Sequence, residues 1–513
     1  MTHRPPDDPV SFSGAGLHEL IGSWRTSRPT ALAVTAGSES LTYAQLLEKA
    51  EALAVRLRGV GAGPDSLVGV VVDRSCAAVV GILGTLMSGA GYVAVDAELP
   101  DDRIGSIVAD SAMRVVTGVD GQVRRATGAT YVPVDGPPTR NAVTSLPGPD
   151  PNQAAYAIFT SGSTGAPKGV VVSHAALAHS TMARFGRYPD PGVYLTLAPL
   201  STDSAFAGLF FTLAAGGHLV LPDEDEVRDA QLLADLVVRT QVSHIDGLPS
   251  QYAMLMRFHP ESLATLRCVI LGGEALPSPV VRQHFALNPA AQLHNEYGPT
   301  EATVWATMHT CGPEECDSDV PIGTPYPGVR VQVLDDDLTE VAPDEVGEIY
   351  ISGRSLALGY LGRPSLTAEH FVAKVGPGGA GERMYRTGDL GRTDDKGRVY
   401  YHGRSDRLVK VRGFRVELDE VELRLLEHTD VVNAAVVACP GAAGVRLVAH
   451  VALADGSALT ARELSTFVAR RLPAYMRPAV WRRHPAIPVT ANGKVDLRLL
   501  EREATTIGTD LSG

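Results

Sequence analysis

A chain of 513 residues is too long for one hydrophobic core and predicts roughly two to four domains. Its 44% hydrophobic and 20% charged residues are those of a soluble globular protein, and a net charge of −13 gives no general affinity for nucleic acid or an acidic membrane surface. Five cysteines (Cys76, Cys268, Cys311, Cys316 and Cys439), with no apolar leader after Met1 and no apolar run long enough to cross a membrane, predict a reducing, cytoplasmic setting without a disulfide framework. Cys311 and Cys316 are close, but no second pair completes a zinc spacing.

In chain order, Tyr43 to Leu57 repeats apolar residues at helical spacing. Leu67 to Val72 reads as a strand, Ser75 to Ala90 as a buried helix, and Tyr92 to Val95 as a strand. Pro100-Asp101-Asp102 opens a further helix. Helices alternating with strands predict parallel sheet covered on both faces. Gly136 to Asn152 is a Pro/Gly-rich connector, and the alternation resumes to about Gly312. From Val331 to about Tyr401 the strands are short and turns frequent, which predicts an antiparallel, barrel-like region. From Val409 a compact αβ segment follows, with a polar tail over Ala504 to Gly513.

The chemistry centres on Phe159-Thr160-Ser161-Gly162-Ser163-Thr164-Gly165-Ala166-Pro167-Lys168-Gly169, between the strand-like Ala154 to Ile158 and Val170 to Val172. Four hydroxyls, three glycines and a lysine in eleven residues suit the oxygens of a polyphosphate. The spacing is not that of the ATPase P-loop, and a mobile surface loop has a similar composition. Asn295-Glu296-Tyr297-Gly298-Pro299-Thr300-Glu301 joins an aromatic able to stack on a base, a tight turn and a carboxylate able to hold magnesium; an ordinary Gly-Pro turn is the plainer reading. Tyr385 to Asp389 offers a carboxylate for two ribose hydroxyls, or a solvated loop acid. Gly403 to Asp406 and Lys410 to Arg415 form a basic hairpin, and Asn492-Gly493-Lys494 is a turn with one lysine.

Together and in this order, these stretches resemble the adenylate-forming superfamily, most closely the amino-acid adenylation domains of nonribosomal peptide synthetases. The resemblance runs from Leu41-Thr42-Tyr43 to Lys494 and includes Gly91 to Asp96, Gly347-Glu348-Ile349, Gly359-Tyr360-Leu361, Gly403 to Glu422 and Leu472 to Met476. It implies an α/β fold: a large N-terminal domain (1–402) of two helix-covered sheets and a small barrel-like β subdomain, a hinge (403–406) at Asp406, and a small mobile α+β C-terminal domain (407–513). It also implies two half-reactions. A carboxylate attacks the α-phosphate of ATP, releasing pyrophosphate; the acyl group then passes to the phosphopantetheine thiol of a peptidyl carrier protein.

The resemblance assigns catalytic roles to Lys494, Glu301, Thr164, Lys168 and Arg404. ATP would be held by Thr160, Ser161, Gly162, Ser163, Thr164, Gly165 and Lys168, by Gly272, Gly273 and Glu274 beside adenine, and by Asn295, Glu296, Tyr297, Gly298 and Thr300. Glu301 would carry Mg2+, Asp389 the ribose, and Arg404 the ribose and phosphate. The small domain would rotate to bring the hairpin around Lys410 and Gly413 to the site for thioester formation. No carrier or condensation segment is seen, so a free-standing or excised enzyme loading a carrier in trans is expected, with a small accessory activating protein as a further partner.

Asp203, after Leu200-Ser201-Thr202, matches the family's aspartate for the substrate α-amino group, a buried ammonium that needs a counter-charge. Thr202 stands where an aromatic is usual. Following the family's pocket positions gives Ser204, Ala207, Gly247, Val269, Leu271, Glu296, Val304 and Trp305. These predict a roomy, apolar-walled pocket in which Ser204 and Glu296 favour a donor-bearing or cationic side chain, histidine first, then tyrosine or another polar aromatic amino acid. An acyl- or aryl-CoA ligase of the same superfamily is the alternative; it would not need Asp203.

Overall fold

The computed structural model describes residues 17–119, 128–136, 150–162, 166–374, 381–441, 444–454, 456–490 and 495–505. They fall into two compact units: residues 1–97, 110–158 and 169–405, and residues 98–109, 159–168 and 406–513.

The first unit holds three sheets. The nine-stranded sheet runs, in spatial order, Thr324–Pro325, Thr307–Thr310, Gln292–Tyr297, Cys268–Gly272, His244–Gly247, Val193–Thr196, His218–Leu221, Leu32–Ala36, Glu39–Thr42. The six strands from Gln292–Tyr297 to Leu32–Ala36 pair in parallel. The seven-stranded sheet runs Gly359–Tyr360, Lys168–Ser173, Ala154–Thr160, Gly91–Asp96, Leu67–Val72, Val115–Gly118, Thr130–Pro133. Its β-branched strands are buried on both faces, as parallel strands require. A five-stranded antiparallel sheet is built from Val329–Leu334, Gly347–Gly353, Phe371–Ala373, Arg383–Thr393 and Val399–Arg404.

Local chemistry sets the element ends. The helix Tyr43–Gly59 begins at Thr42, whose hydroxyl accepts from the Gln45 amide while the Gln45 side chain accepts from the Thr42 amide, a reciprocal cap. Its apolar face, Leu46, Leu47, Ala50, Leu53, Ala54 and Leu57, is fully buried.

In the second unit, Leu408–Val411 and Phe414–Glu417 form a hairpin closed by Arg412 and Gly413 at φ +51° and +80°, the pair of positive φ values that a two-residue turn with native strand twist needs. Beside it lie the sheet Val431–Gly441, Gly444–Leu453, Val480–His484 and the helices Leu418–Leu426, Ala461–Ala469 and Leu497–Thr505. The polar tail expected over Ala504 to Gly513 does not include Ala504, which lies in the helix Leu497–Thr505, 1% exposed in a core with Leu500 and Val437. Residues 506–513 lie outside the described residues. Among the described residues no helix is long and apolar enough to cross a membrane.

Candidate functional site

Antiparallel pairing of Arg383–Thr393 with Val399–Arg404 places Asp389 opposite Arg404. Asp389 Oδ2 accepts from the Tyr297 hydroxyl at 2.6 Å, and Oδ1 accepts from Arg404 Nη1. Arg404 Nη2 also donates to the Thr387 carbonyl at 2.9 Å. The Asp389 amide donates to Thr387 Oγ1 and the Gly388 amide to Glu348, so the loop is fixed at both ends. Burial and the neighbouring Asp389 push the Tyr297 phenol well above its ordinary range, which keeps it a hydrogen-bond donor. The carboxylate expected to receive a ribose is thus pre-positioned by two protein donors.

Glu301 lies in the 3-10 turn Thr300–Ala302, fully buried, and accepts from the Tyr360 hydroxyl at 2.7 Å. The next two residues, Thr303 and Val304, both have positive φ, +56° and +78°. That conformation is costly for β-branched side chains. Thr303 is pinned there: its hydroxyl donates to the Ser355 carbonyl at 2.5 Å, and its carbonyl accepts from Ser180 Oγ at 2.7 Å. Gly298 is what the returning chain crosses; a Cβ there would collide with the Val304 carbonyl and lie 2.5 Å from Trp305 Cα. Glu301 is a carboxylate, the hard oxygen donor that would suit the magnesium expected there. Asn295 donates instead to the Pro321 carbonyl at 2.9 Å, and Glu274 accepts from the Ser250 amide at the start of the helix Pro249–Phe258.

In the second unit, the described part of the loop expected to hold phosphate is tied to neighbouring elements. Ser161 Oγ donates to the Arg415 carbonyl at 2.8 Å and accepts from the Glu417 amide at 3.0 Å. The Gly162 amide donates to Glu420 Oε2 at 3.3 Å, and Glu420 Oε1 accepts from Arg103 in a buried ion pair. Thr160 is buried, its hydroxyl without a hydrogen-bond partner among the described residues, and Lys168 is 3% exposed. Ser163, Thr164, Gly165 and Lys494 lie outside the described residues.

Ser405 and Asp406 mark one of the places where the chain passes from the first unit to the second. Ser405, the last residue of the first unit, donates through its amide and hydroxyl to the Gly388 carbonyl at 2.9 and 3.0 Å. Arg407 is held in the second unit by Asp419, Glu422 and the Val436 carbonyl. Asp406 between them accepts from the Leu408 amide.

Of the residues expected around the substrate, Asp203, Ser204, Ala207 and Glu296 lie on one face of the nine-stranded sheet, at the carboxyl ends of its parallel strands, where open α/β sheets place ligands. Asp203 and Ser204 open the helix Ser204–Ala214, which packs on that face with Phe206 against Tyr92 and Tyr156. Both tyrosines feel the Asp203 charge, and their buried hydroxyls have no hydrogen-bond partner among the described residues. Ala207 lies one turn further on.

Three expected pocket residues face the other way. Val269 and Leu271 pack with Leu195, Ile245 and Tyr252 in a separate core under the helices Ala230–Thr240 and Pro249–Phe258, and a Cβ on Gly247 would meet Leu197 and Gln251. Side chains alternate along a strand, so an offset of one residue reverses the face. The residues on the face of the Asp203 helix are Asp246, Ile270, Gly272 and Glu296. Trp305 lies on Gly272, where a Cβ would be 2.5 Å from the indole.

Glu296 is on the correct face but is tied to the protein. Its Oε1 accepts from both Tyr188 and Tyr326, and fully buried Arg184 supplies a compensating charge. Burial pushes the carboxyl up, against Arg184 and the two hydroxyls. Its expected freedom to meet a substrate donor is therefore reduced to Oε2, which has no partner among the described residues.

One group of potential metal ligands exists among the described residues: His450, His484 and Glu503, with His450 Nδ1 and His484 Nε2 2.8 Å apart. Arg482 adds a positive charge that both histidines feel, which opposes a cation.

The AMP-binding enzyme family model matches residues 23–361, and that of the AMP-binding enzyme C-terminal domain residues 420–494. The chain belongs to the AMP-binding enzyme family, the adenylate-forming superfamily. It is 36% identical over 521 residues to tyrocidine synthase 3 of Brevibacillus parabrevis, covering 98% of this chain and 8% of that one. It is 40% identical over 495 residues to phosphinothricin tripeptide synthetase PhsB of Streptomyces viridochromogenes, covering 93% of this chain and 41% of that protein. The chain thus spans less than half of either relative. The solved structure of holo-PA1221, an NRPS protein containing adenylation and PCP domains bound to a vinylsulfonamide inhibitor, superposes with a TM-score of 0.86 at 28% identity, covering 97% of this chain and 85% of that one.

Proposed function

We propose that the protein activates an amino acid with ATP as aminoacyl-AMP and then loads it onto the phosphopantetheine thiol of a peptidyl carrier protein supplied in trans, in a cytoplasmic, nonribosomal peptide-type pathway. Histidine is the first substrate choice and tyrosine or another polar aromatic amino acid the second. The observation that carries the reading is Asp203 at the mouth of the parallel sheet, beside two buried tyrosine hydroxyls, where an α-ammonium would find its counter-charge. The similarity to peptide synthetases and to an adenylation–PCP protein supports the carrier.

In the first half-reaction, a substrate carboxylate oxygen attacks the α-phosphorus and pyrophosphate leaves. Asp389 and Tyr297 orient the nucleoside. Glu301 would hold Mg2+, which supplies charge neutralisation on the phosphates. Lys494 balances charge between carboxylate and α-phosphate. In the second, a carrier thiolate attacks the acyl carbon and AMP leaves, with Asp406 as the hinge and the Lys410–Gly413 hairpin facing the transfer. Pyrophosphate exchange across the proteinogenic amino acids, with aryl and fatty acids as controls, tests this. Exchange with α-amino acids and not with their des-amino analogues is expected; equal activity with both would favour a CoA ligase.

A further inference from the structure

Asp246 plays no part in the scheme above, yet it is a buried carboxylate on the substrate face. It sits at the carboxyl end of the strand His244–Gly247, level with Ile270 on the next strand. The helix that Asp203 opens crosses directly over it: a Cβ on Gly208 would lie 2.9 Å from Asp246 Oδ2 and 2.6 Å from the Tyr194 ring. Gly208, one residue beyond Ala207, therefore lets the helix approach the carboxylate this closely.

Its partners are few and neutral. Oδ1 accepts from the Leu197 amide at 3.2 Å and Oδ2 from the Tyr194 hydroxyl at 3.3 Å, two long bonds on a group able to accept about four. The Thr196 hydroxyl nearby is also uncharged. No cation among the described residues is in ion-pair contact with it. Arg74, whose charge reaches Asp246 through space, is committed to Glu224 and to the Leu197 and Ala198 carbonyls.

The charge balance of this face points the same way. Glu296 has the buried cation Arg184 against it, whereas the cation whose charge reaches Asp246, Arg74, is already held by Glu224 and two backbone carbonyls. A buried acid without a counter-ion is costly, and proteins keep one where a ligand provides the missing charge. Burial pushes the Asp246 carboxyl up to about 7, consistent with an empty counter-ion position.

We infer that Asp246 is the specificity residue for the substrate side chain, and that the substrate class is amino acids carrying a second nitrogen base, whose imidazolium, ammonium or guanidinium pairs with Asp246 while the α-ammonium pairs with Asp203. The inference rests on the proposed amino-acid activation and narrows it: histidine, lysine, ornithine and arginine fall inside the class, tyrosine outside it.

The test compares pyrophosphate exchange by the full-length enzyme for each base with its uncharged counterpart: histidine with phenylalanine, lysine with norleucine, arginine with citrulline. One base is expected to exceed its counterpart by at least about 100-fold in kcat/KM, because a site built for a polar group rejects the analogue that lacks it. In Asp246→Asn that ratio should collapse at least about 10-fold, with exchange for the uncharged counterpart unchanged or raised. Preference for an uncharged amino acid, or a ratio the variant leaves intact, overturns the inference while amino-acid activation stands. Exchange with plain carboxylic acids alone overturns the activation reading as well. Should Asp246→Asn fail to fold, the wild-type ratios decide.

Discussion

Tyr297 and Asp389, 92 residues apart, share a 2.6 Å hydrogen bond with the phenol as donor, and Arg404 closes on the other carboxylate oxygen. A nucleotide that uses Asp389 meets a group already oriented. Asp389→Asn should therefore weaken ATP binding about 10-fold or more. It should also lower thermal stability, because Arg404 loses its buried counter-charge, a change typically worth about 3–5 kcal/mol in well-buried pairs. Calorimetric titration with ATP and a thermal melt read the two effects; unchanged ATP affinity would remove Asp389 from the nucleotide site.

Lys494 should separate the half-reactions. A single electrostatic contact to a developing charge is worth roughly 100- to 1,000-fold in rate. Lys494→Ala should lose that much pyrophosphate exchange while still transferring acyl groups from separately supplied aminoacyl-adenylate to a carrier thiol. Equal loss in both steps by a folded variant would refute the assignment.

Asp246 gives a pH signature without any substrate. Its carboxyl titrates near 7 in the folded protein, above the ordinary range near 4 of an unfolded chain. Between those values the native state keeps a proton that the unfolded state has released, so this group's contribution to stability is present at low pH and is lost as pH rises through about 7. Asp246→Asn cannot ionise. Its stability relative to wild type should climb by a few kcal/mol from pH 4 to pH 7.5 in denaturant titrations. A pH-independent difference would place the carboxyl in its ordinary range.

Gly298→Ala should damage the turn that carries Glu301. The added methyl meets backbone atoms of Val304, Trp305 and Ala306, which cannot rotate away as a side chain would. We expect a loss of about 1–3 kcal/mol in stability and a larger fall in exchange than the melting shift alone explains. Wild-type exchange would show that the Thr303–Val304 turn tolerates displacement.

Much of this was legible in the sequence where the signal is local. Tyr43 to Leu57, Leu67 to Val72 and the strands flanking the phosphate loop carry their own periodicity or β-branched content, and each is found in place. Pocket geometry was less legible. Gly247, Val269 and Leu271 are one residue from Asp246, Ile270 and Gly272, and in a structure of period two that distance separates opposite faces. The fate of Glu296 depends on Tyr188 and Tyr326, 108 and 30 residues away, whose approach no local pattern encodes. Nothing in the sequence singles out Asp246, because its distinguishing trait, burial with only neutral hydrogen-bond partners, appears only in three-dimensional placement.

The anchoring on either side of Asp406 has a mechanical meaning. Ser405 is stapled to Gly388, the residue next to Asp389, and Arg407 is clamped by Asp419 and Glu422. In the proposed hinge, turning of the backbone would fall on Asp406, because the residues before and after it are held by their own bonds. Arg404, one step before the staple, holds the very carboxylate that a ribose would use. Under the proposed ribose role of Asp389, nucleotide binding would load the same stretch, Gly388 to Ser405, from which the proposed hinge departs.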